Sequence, residues 1–344
     1  MEMLNVNMLL KADLWATLIN LFSNWLVNYG WTIIVFTIAL KLVMSPLDIL
    51  QRTSSQKQTR VMSAMQPEMA ALQQKYGNDK QKLNQEQAKL YKKYNINMGG
   101  MCFSMFITLG ISLLVFGTLY GSLREFGEDK MFESYGKLDN TYITATAEAV
   151  DQSLTGDAAI QYVEDEIIVE YTKQQKENSW LWVKNVWKGD TNVSQLVDFD
   201  AYAKYKKLSD EDKTAAQTRY NAIEEIIEEE NPGQNGYYVL LILAGLISFL
   251  TQFLSTKLMT PKGQKLNTMN KVMMAIIPIT MVIFASTSNT VFTLYIITNS
   301  VMTAIISTII SLIMKKKNEG KTDTDILLSK KKVEVVEYSR NYKK

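Results

Sequence analysis

The chain has 344 residues, a formal net charge of +2 at pH 7, one cysteine and no histidine. A single cysteine excludes an intrachain disulfide and a cysteine-based metal site, and the lack of imidazole excludes Ser-His-Asp catalysis and histidine metal ligands. The mean hydropathy of −0.07 is an average over two very different kinds of segment, because long apolar runs alternate with polar connectors.

Residues 1–24 contain a short amphipathic segment. Leu10, Leu14, Leu18 and Leu21 recur at helical spacing, with polar residues between them. This pattern predicts a helix that lies on the outer face of a membrane. The alternative is that these residues extend the first membrane span.

Five apolar stretches are close to the roughly 17–25 residues that a helix needs to cross a hydrocarbon core of about 30 Å. Together they predict an all-α polytopic membrane protein. The predicted spans are Trp25–Leu47, Met101–Leu123, Tyr237–Thr256, Val272–Ser288 and Thr290–Met314.

Lys41 is the one charged residue in the first predicted span. A charge at the centre of a bilayer costs roughly 2.5–3.5 kcal/mol on insertion scales, so an intramembrane lysine usually serves a function or snorkels to the nearer interface. Only residues 42–47 separate Lys41 from the polar segment that follows. Both interpretations therefore stay open on the sequence of this span alone.

Asp48–Asn97 is rich in strong helix formers and is interrupted at residues 76–79, which predicts a cytoplasmic helical hairpin. Met62, Met65 and Met69 form an apolar stripe on the first arm. The two arms could pack only on each other. Alternatively, the methionines form an adaptable surface that contacts varied apolar partners.

Residues 124–236 form a large polar insertion, for which we predict an extra extracytoplasmic domain of α or α+β class. Ala159–Thr172 has the alternation and β-branched content of one or two strands. Ser209–Glu230 is predicted to be a helix whose acidic end is a solvated face, with a cation site as the alternative.

Polar side chains recur along the later spans, and no Asp or Glu lies within any predicted span. Hydroxyl groups in membrane helices often bond the preceding turn or bridge two helices. The absence of an intramembrane carboxylate argues against a carrier coupled to protons or sodium ions.

The charge balance of the connectors predicts the topology. Residues 124–236 carry 12 basic and 24 acidic residues, whereas Lys257–Lys271 carries four basic and no acidic residues. The hairpin and the C-terminal tail, Lys315–Lys344, are also basic. Because positively charged loops stay in the cytoplasm, the N-terminus is predicted to lie outside and the C-terminus inside.

Several stretches, in order along the chain, resemble the YidC/Oxa family of membrane protein insertases. They are Val61–Met98, Gly99–Cys102, Trp180–Val183, Tyr237–Leu258, the end of the fourth span, and Leu294-Tyr295 with Thr298-Asn299.

The resemblance implies five transmembrane helices around a hydrophilic groove that opens to the cytoplasm and the lipid and is closed on the outside. Lys41 matches the groove cation, which is usually arginine in the family, and Gln252 matches a groove glutamine. Ile296 stands where the family often has tryptophan. Further groove candidates are Thr37, Ser104, Thr108, Thr298 and Asn299.

The implied activity is that of an insertase and chaperone in the plasma membrane of a bacterium, which needs no cofactor and no covalent chemistry. Implied partners are nascent membrane proteins, membrane lipids, the Sec translocon, and ribosomes that contact the basic tail; anionic lipid headgroups are the alternative ligand of that tail. Two other functions remain open. One is a transporter or channel for an anionic solute that uses Lys41, and the other is a membrane scaffold whose acidic outer domain binds a partner.

Overall fold

The computed structural model describes residues 12–94, 98–260 and 268–317. Within these ranges the regular structure is helical, apart from one isolated bridge between Trp180 and Val183. The described helices are α1 Ala12–Ser23, α2 Tyr29–Tyr76, α3 Lys80–Lys93, α4 Met98–Asp151, α5 Asp157–Asn178, α6 Phe199–Lys206, α7 Asp210–Glu230, α8 Val239–Met259, α9 Thr268–Ser286 and α10 Thr290–Lys317.

Three of the described helices contain stretches long and apolar enough to cross a membrane: Tyr29–Ser55 in α2, Val239–Leu258 in α8 and Thr290–Lys316 in α10. A shorter apolar stretch, Met274–Ser286, lies in α9. These features confirm the all-α membrane class. The second predicted span lies within α4, where the side chains of residues 101–109 are outside the described part. The presence of five spans and their sidedness stay predictions.

Helix α2 continues without a break from the first predicted span into the first arm of the hairpin, although it contains Pro46. Proline lacks the N–H that would bond the carbonyl of Leu42 four residues earlier. The hydroxyl of Ser45 donates to that carbonyl oxygen at 2.7 Å. Because the carbonyl is bonded in this way, the helix passes through the proline and ends only at Tyr76.

The turn of the hairpin lies where the sequence predicts it. Asp79 begins α3, and its side chain accepts a hydrogen bond from the backbone N–H of Lys82 at 3.0 Å. Such a capping bond satisfies one of the four N–H groups that a helix start leaves free. Across the hairpin, the carboxylate of Glu68 accepts from the Lys93 amine at 2.7 Å and from the Tyr94 hydroxyl at 2.8 Å.

The predicted strand at Ala159–Thr172 is wrong, because these residues lie inside helix α5. Val163, Ile167 and Tyr171 recur every four residues, and Ile167 and Tyr171 are buried. This interval is the spacing of one helix face. The described part of the extra domain is therefore α-helical, and the α+β alternative is wrong for these residues.

The described chain divides into two compact units. The first comprises the described residues within 12–40, 115–248 and 277–300, and the second comprises the described residues within 41–114, 249–276 and 301–317. The first unit contains one continuous hydrophobic core, in which Tyr29 packs edge-on against Trp187 at 4.9 Å between ring centroids. Gly30 is required beside this core, because a Cβ atom there would come within 2.3 Å of the Trp180 ring.

In the first unit, the irregular segment after α5 is anchored to the first turn of α10. The carbonyl of Lys188 accepts hydrogen bonds from both the N–H and the hydroxyl of Thr290 at 2.8 Å. The N–H of Val291 donates to the carbonyl of Val186 at 2.9 Å. These bonds use N–H groups that the start of α10 leaves without an intrahelical partner.

Candidate functional site

Lys41 is paired with an acidic residue of its own helix. Its amine lies 2.8 Å from a carboxylate oxygen of Asp48, and the two side chains are 15% and 24% exposed. Seven residues make two turns of an α-helix, which places both side chains on the same face of α2. The pair itself is formally neutral, and the carboxylate of Asp48 also interacts electrostatically with Arg52, one turn further along α2.

Asp48 was not among the residues predicted to belong to this site. An opposite charge seven residues after Lys41 would have been a usable signal, because both side chains share a face if the helix is continuous. The predicted boundary between span and hairpin fell between Leu47 and Asp48 and so concealed the pairing.

In the second unit, Gln252 is half-buried on α8, as Lys41 is on α2. One turn further along α8, the hydroxyl of Ser255 lies 3.4 Å from the hydroxyl of Ser307 on α10, and both serines are buried. The Ser307 hydroxyl also donates to the carbonyl of Thr303. These polar groups therefore bond within the helix or between neighbouring helices.

Of the remaining groove candidates, Thr37, Thr298 and Asn299 belong to the first unit, and the side chains of the other two are outside the described part. Thr37 is fully buried, and its hydroxyl donates to the carbonyl of Ile33 at 2.6 Å. Thr298 and Asn299 are half-buried on α10. The side chains of Ser104 and Thr108 are outside the described part.

A second serine pair, in the first unit, joins the same two helices. The hydroxyls of Ser248 on α8 and Ser300 on α10 lie 3.4 Å apart. This pair and Ser255–Ser307 have the same separation of 52 residues, and they are seven residues apart along each helix. A seven-residue interval returns to one helix face, and small polar residues there allow close approach of membrane helices.

The methionine stripe of the hairpin is only partly accessible. Met65 is buried, with 1% of its surface exposed, Met69 is half-buried, and the side chain of Met62 is outside the described part. Leu90 on the second arm is also buried. The burial of Met65 favours the alternative in which the two arms of the hairpin pack on each other. Of the two described methionines in the stripe, Met69 is the one with accessible surface.

The described part of the outer domain contains a buried carboxylate near the start of α8. Asp190 accepts a hydrogen bond from the N–H of Leu241 at 3.4 Å, and its other oxygen has no hydrogen-bond partner among the described residues. Burial raises the pKa of Asp190 above its ordinary value. Gly236 is required here, because a Cβ atom would lie 1.6 Å from that oxygen.

The acidic end of α7 does not form a metal site in the described residues, where no three acidic or cysteine side chains converge on one point. The hydroxyl of Ser194 donates to Glu224 at 2.8 Å, whereas Glu228 and Glu230 are exposed.

The chain matches the sequence profile of the 60Kd inner membrane protein family over residues 21–318, which is most of its length. This chain belongs to the 60Kd inner membrane protein family. The resemblance to the YidC/Oxa family is thereby confirmed. Together with the apolar helices, the family assignment makes the chain a multi-pass membrane protein.

Curated proteins similar to this chain include three that are named membrane protein insertase YidC. The protein of Fusobacterium nucleatum is 37% identical over 111 residues, which are 32% of this chain and 52% of that protein. The protein of Clostridium tetani is 40% identical over 89 residues, or 26% and 39% of the two chains. The protein of Nitratidesulfovibrio vulgaris is 33% identical over 108 residues, or 31% and 20%. The chain thus spans about half or less of the length of these relatives.

Proposed function

We propose that this protein inserts other membrane proteins into the lipid bilayer and assists their folding there. The family match over residues 21–318 carries this proposal, and the names of the similar proteins agree with it. The physical task is to move a hydrophilic segment of a client past hydrocarbon, where unsatisfied backbone and charged groups are costly. The client's apolar segment then enters the lipid because its own burial is favourable.

The proposed path is a hydrophilic groove between five transmembrane helices, open to the cytoplasm and the lipid. Lys41 supplies its cation, and Gln252, Thr37, Ser104, Thr108, Thr298 and Asn299 supply polar groups. The half-buried positions of Lys41 and Gln252 support a partly hydrated environment. No nucleotide, cofactor or covalent step enters this scheme.

When no client is bound to the proposed groove, Asp48 neutralises the charge of Lys41. A translocated carboxylate of the client replaces Asp48 as the partner of Lys41, so that the cation is never left uncompensated in a poorly solvated site. An exchange of carboxylates keeps Lys41 paired throughout, whereas an unpaired cation in a partly buried site would lose favourable electrostatic interaction. The short distance of 2.8 Å and the low exposure of both side chains support this exchange.

The hairpin of α2 and α3 is proposed to receive clients before the groove does. Met69 is the described methionine with accessible surface, and thioether side chains adapt to varied apolar partners. Crosslinkers at Met69 should capture nascent chains earlier than crosslinkers at Gln252. Crosslinks confined to Gln252 at all times would exclude the receiving role.

The proposed location is the plasma membrane of a bacterium, with the N-terminus outside and the C-terminus in the cytoplasm. The basic connector Lys257–Lys271 and the acidic balance of the outer domain support this topology. Nascent membrane proteins are the proposed clients. Ribosomes and the Sec translocon are the proposed working partners, with ribosomal RNA attracting the basic tail.

The function is tested with purified full-length protein in liposomes and a single-span client whose translocated tail is acidic. Protease-protected client should appear only in liposomes that contain the protein. Lys41→Arg should retain insertion because the charge is kept, whereas Lys41→Glu should reduce it by placing a second negative charge beside Asp48. An equal yield of protected client in liposomes with and without the protein would exclude the insertase function. Anion flux without insertion would instead support the transporter.

A further inference from the structure

The outer domain contains a cleft at the end of α4, and none of its lining residues belongs to the proposed insertion path. We call it the outer-domain cleft. It has a volume of about 480 Å³ and lies between the end of α4, the start of α5 and the last two turns of α7. Its lining includes Thr146, Ala149, Val150, Ile160 and Ile226.

Much of the lining of the outer-domain cleft is apolar. Ala149 is buried, and Ile226 packs against the core of the first unit. Val150 and Ile160 lie at the edge of the cleft and are 71% and 58% exposed. Two exposed aliphatic side chains beside a concave apolar lining form a surface suited to cover by another apolar group.

Three carboxylates also line the outer-domain cleft. Glu164, Glu225 and Glu229 all line it, and none of them has an ion pair or hydrogen bond to another described residue. By contrast, Asp139 in the same domain is paired with Arg219 at 2.6 Å. The three cleft carboxylates are therefore available to a cation that is not part of the described chain.

These charges are unfavourable for the helix that carries them. Glu225 and Glu229 are one turn apart on α7, and like charges at that spacing destabilise a helix. Both lie near the C-terminus of α7, where the helix dipole disfavours negative charge and where the last turn has no basic residue. A binding partner that supplies positive charge would relieve both effects.

The dimensions of the outer-domain cleft fit a helix. The lining residues of α7 extend from Ala222 to Glu229, a rise of about 10 Å at ~1.5 Å per residue, which is two turns of a partner helix. A helix that docks in a groove presents apolar anchors at i, i+3, i+4 and i+7 on one face. Basic residues flanking that face would reach the carboxylates at the rim.

We propose that the outer-domain cleft binds a basic amphipathic helix from the extracytoplasmic part of a partner protein. Apolar anchors of that helix cover Val150 and Ile160, and its lysine or arginine side chains pair with Glu164, Glu225 and Glu229. This binding is independent of the proposed insertion path, because none of its residues belongs to that path.

The test uses full-length protein in detergent and a fluorescein-labelled, 18-residue synthetic helix with leucines at i, i+3, i+4 and i+7 flanked by lysines. Fluorescence anisotropy should show saturable binding that weakens with added salt, because exposed charge pairs are screened. A peptide with glutamate in place of lysine should not bind. Absence of saturable binding, or equal binding to empty micelles, overturns the proposal.

Variants with matched controls locate the binding. Glu225→Gln combined with Glu229→Gln should weaken binding by about 2- to 30-fold, as expected for the loss of two exposed ion pairs. Glu228→Gln combined with Glu230→Gln removes the same charge from exposed positions of the same helix outside the cleft, and it should change binding less than twofold. An equal loss in both double variants would show attraction to the acidic domain as a whole and would overturn the assignment to the cleft.

The apolar contact has its own pair of variants on α5. Ile160→Ser should weaken binding by about 5- to 10-fold because it removes an apolar anchor at the edge of the cleft. Val169→Ser removes a similarly exposed aliphatic side chain, 63% accessible, from the same helix outside the cleft. Both residues are exposed, so both variants should fold. Equal affinity of the two variants for the peptide would rule out apolar docking at this cleft.

Discussion

Replacing Asp48 with asparagine should make this protein more active on clients with acidic translocated tails. The change removes the carboxylate that lies 2.8 Å from the Lys41 amine and leaves the helix and the volume of the side chain almost unchanged. In the wild type, a client carboxylate has to displace Asp48 before it can pair with Lys41. In Asp48→Asn, that competition is absent.

The size of the effect follows from the geometry of the pair. Two unit charges 2.8 Å apart attract by about 1.5 kcal/mol in bulk water, and by more where the medium is less polar. The cost of removing both groups from water offsets part of any further gain. A net competition of about 1–1.5 kcal/mol corresponds to roughly a 5- to 13-fold increase in the apparent affinity for an acidic client.

The assay is the initial rate at which protease-protected client accumulates in proteoliposomes at a subsaturating client concentration. Two clients are compared that differ only in glutamate or glutamine in the translocated tail. Asp48→Asn should accelerate the glutamate client and leave the glutamine client unchanged. Asp48→Glu keeps the counter-charge and should behave like the wild type.

A double variant decides whether the gain acts through Lys41. Asp48→Asn combined with Lys41→Gln removes both charges and should abolish the preference for the glutamate client. An equal acceleration of both clients by Asp48→Asn would refute the competition, since a neutral tail has no carboxylate to exchange. Slower insertion of the glutamate client would show that Asp48 itself is required and not displaced.

Three further outcomes follow from the structure. Ile223 is completely buried, so Ile223→Ala should lower the stability of the outer domain by about 2–5 kcal/mol in thermal unfolding, whereas Ile143→Ala at an exposed position should have little effect. Burial raises the pKa of Asp190 in the folded protein above its ordinary value of 3.8. The folded protein should therefore lose stability as the pH rises from about 3.8 through the raised pKa, because the buried carboxyl group has to ionise. Asp190→Asn should remove that part of the pH dependence, and an identical slope in both proteins would contradict it. Removal of Lys315–Lys344 should weaken co-sedimentation with ribosomes, added salt should mimic the loss, and short clients that insert after release should be unaffected.

The apolar runs along the chain were sufficient to predict the fold class. Each predicted span lies wholly or largely within a described helix, because some 20 consecutive apolar residues are compatible with few other structures in lipid. The turn at residues 76–79 was also predictable, since Gly77 and the capping Asp79 are local signals. These features depend on nearby residues only.

Features that depend on competing local signals were harder to predict. β-branched residues in the middle of α5 favoured a strand, although Ile167 and Tyr171 share the buried face of a helix. Pro46 favoured a helix end, although the Ser45 hydroxyl bonds the carbonyl that the proline leaves free. The pairing of Lys41 with Asp48 could not be foreseen once the helix was divided between them. Sequence spacing alone did not determine which of the proposed groove residues lie together.

The unbroken helix α4 sets a minimum reach for any protein that binds the outer-domain cleft. From Leu123, the last residue of the second predicted span, to Thr146 in the cleft, the helix rises by about 35 Å at ~1.5 Å per residue. A tilt of about 20° from the bilayer normal would still leave the cleft roughly 33 Å above that point. An extended tether covers ~3.3–3.6 Å per residue, so a membrane-anchored partner needs about ten residues between its last membrane-embedded position and its docking helix. Tethers of graded length on the same docking helix should therefore show an abrupt threshold for binding near that value.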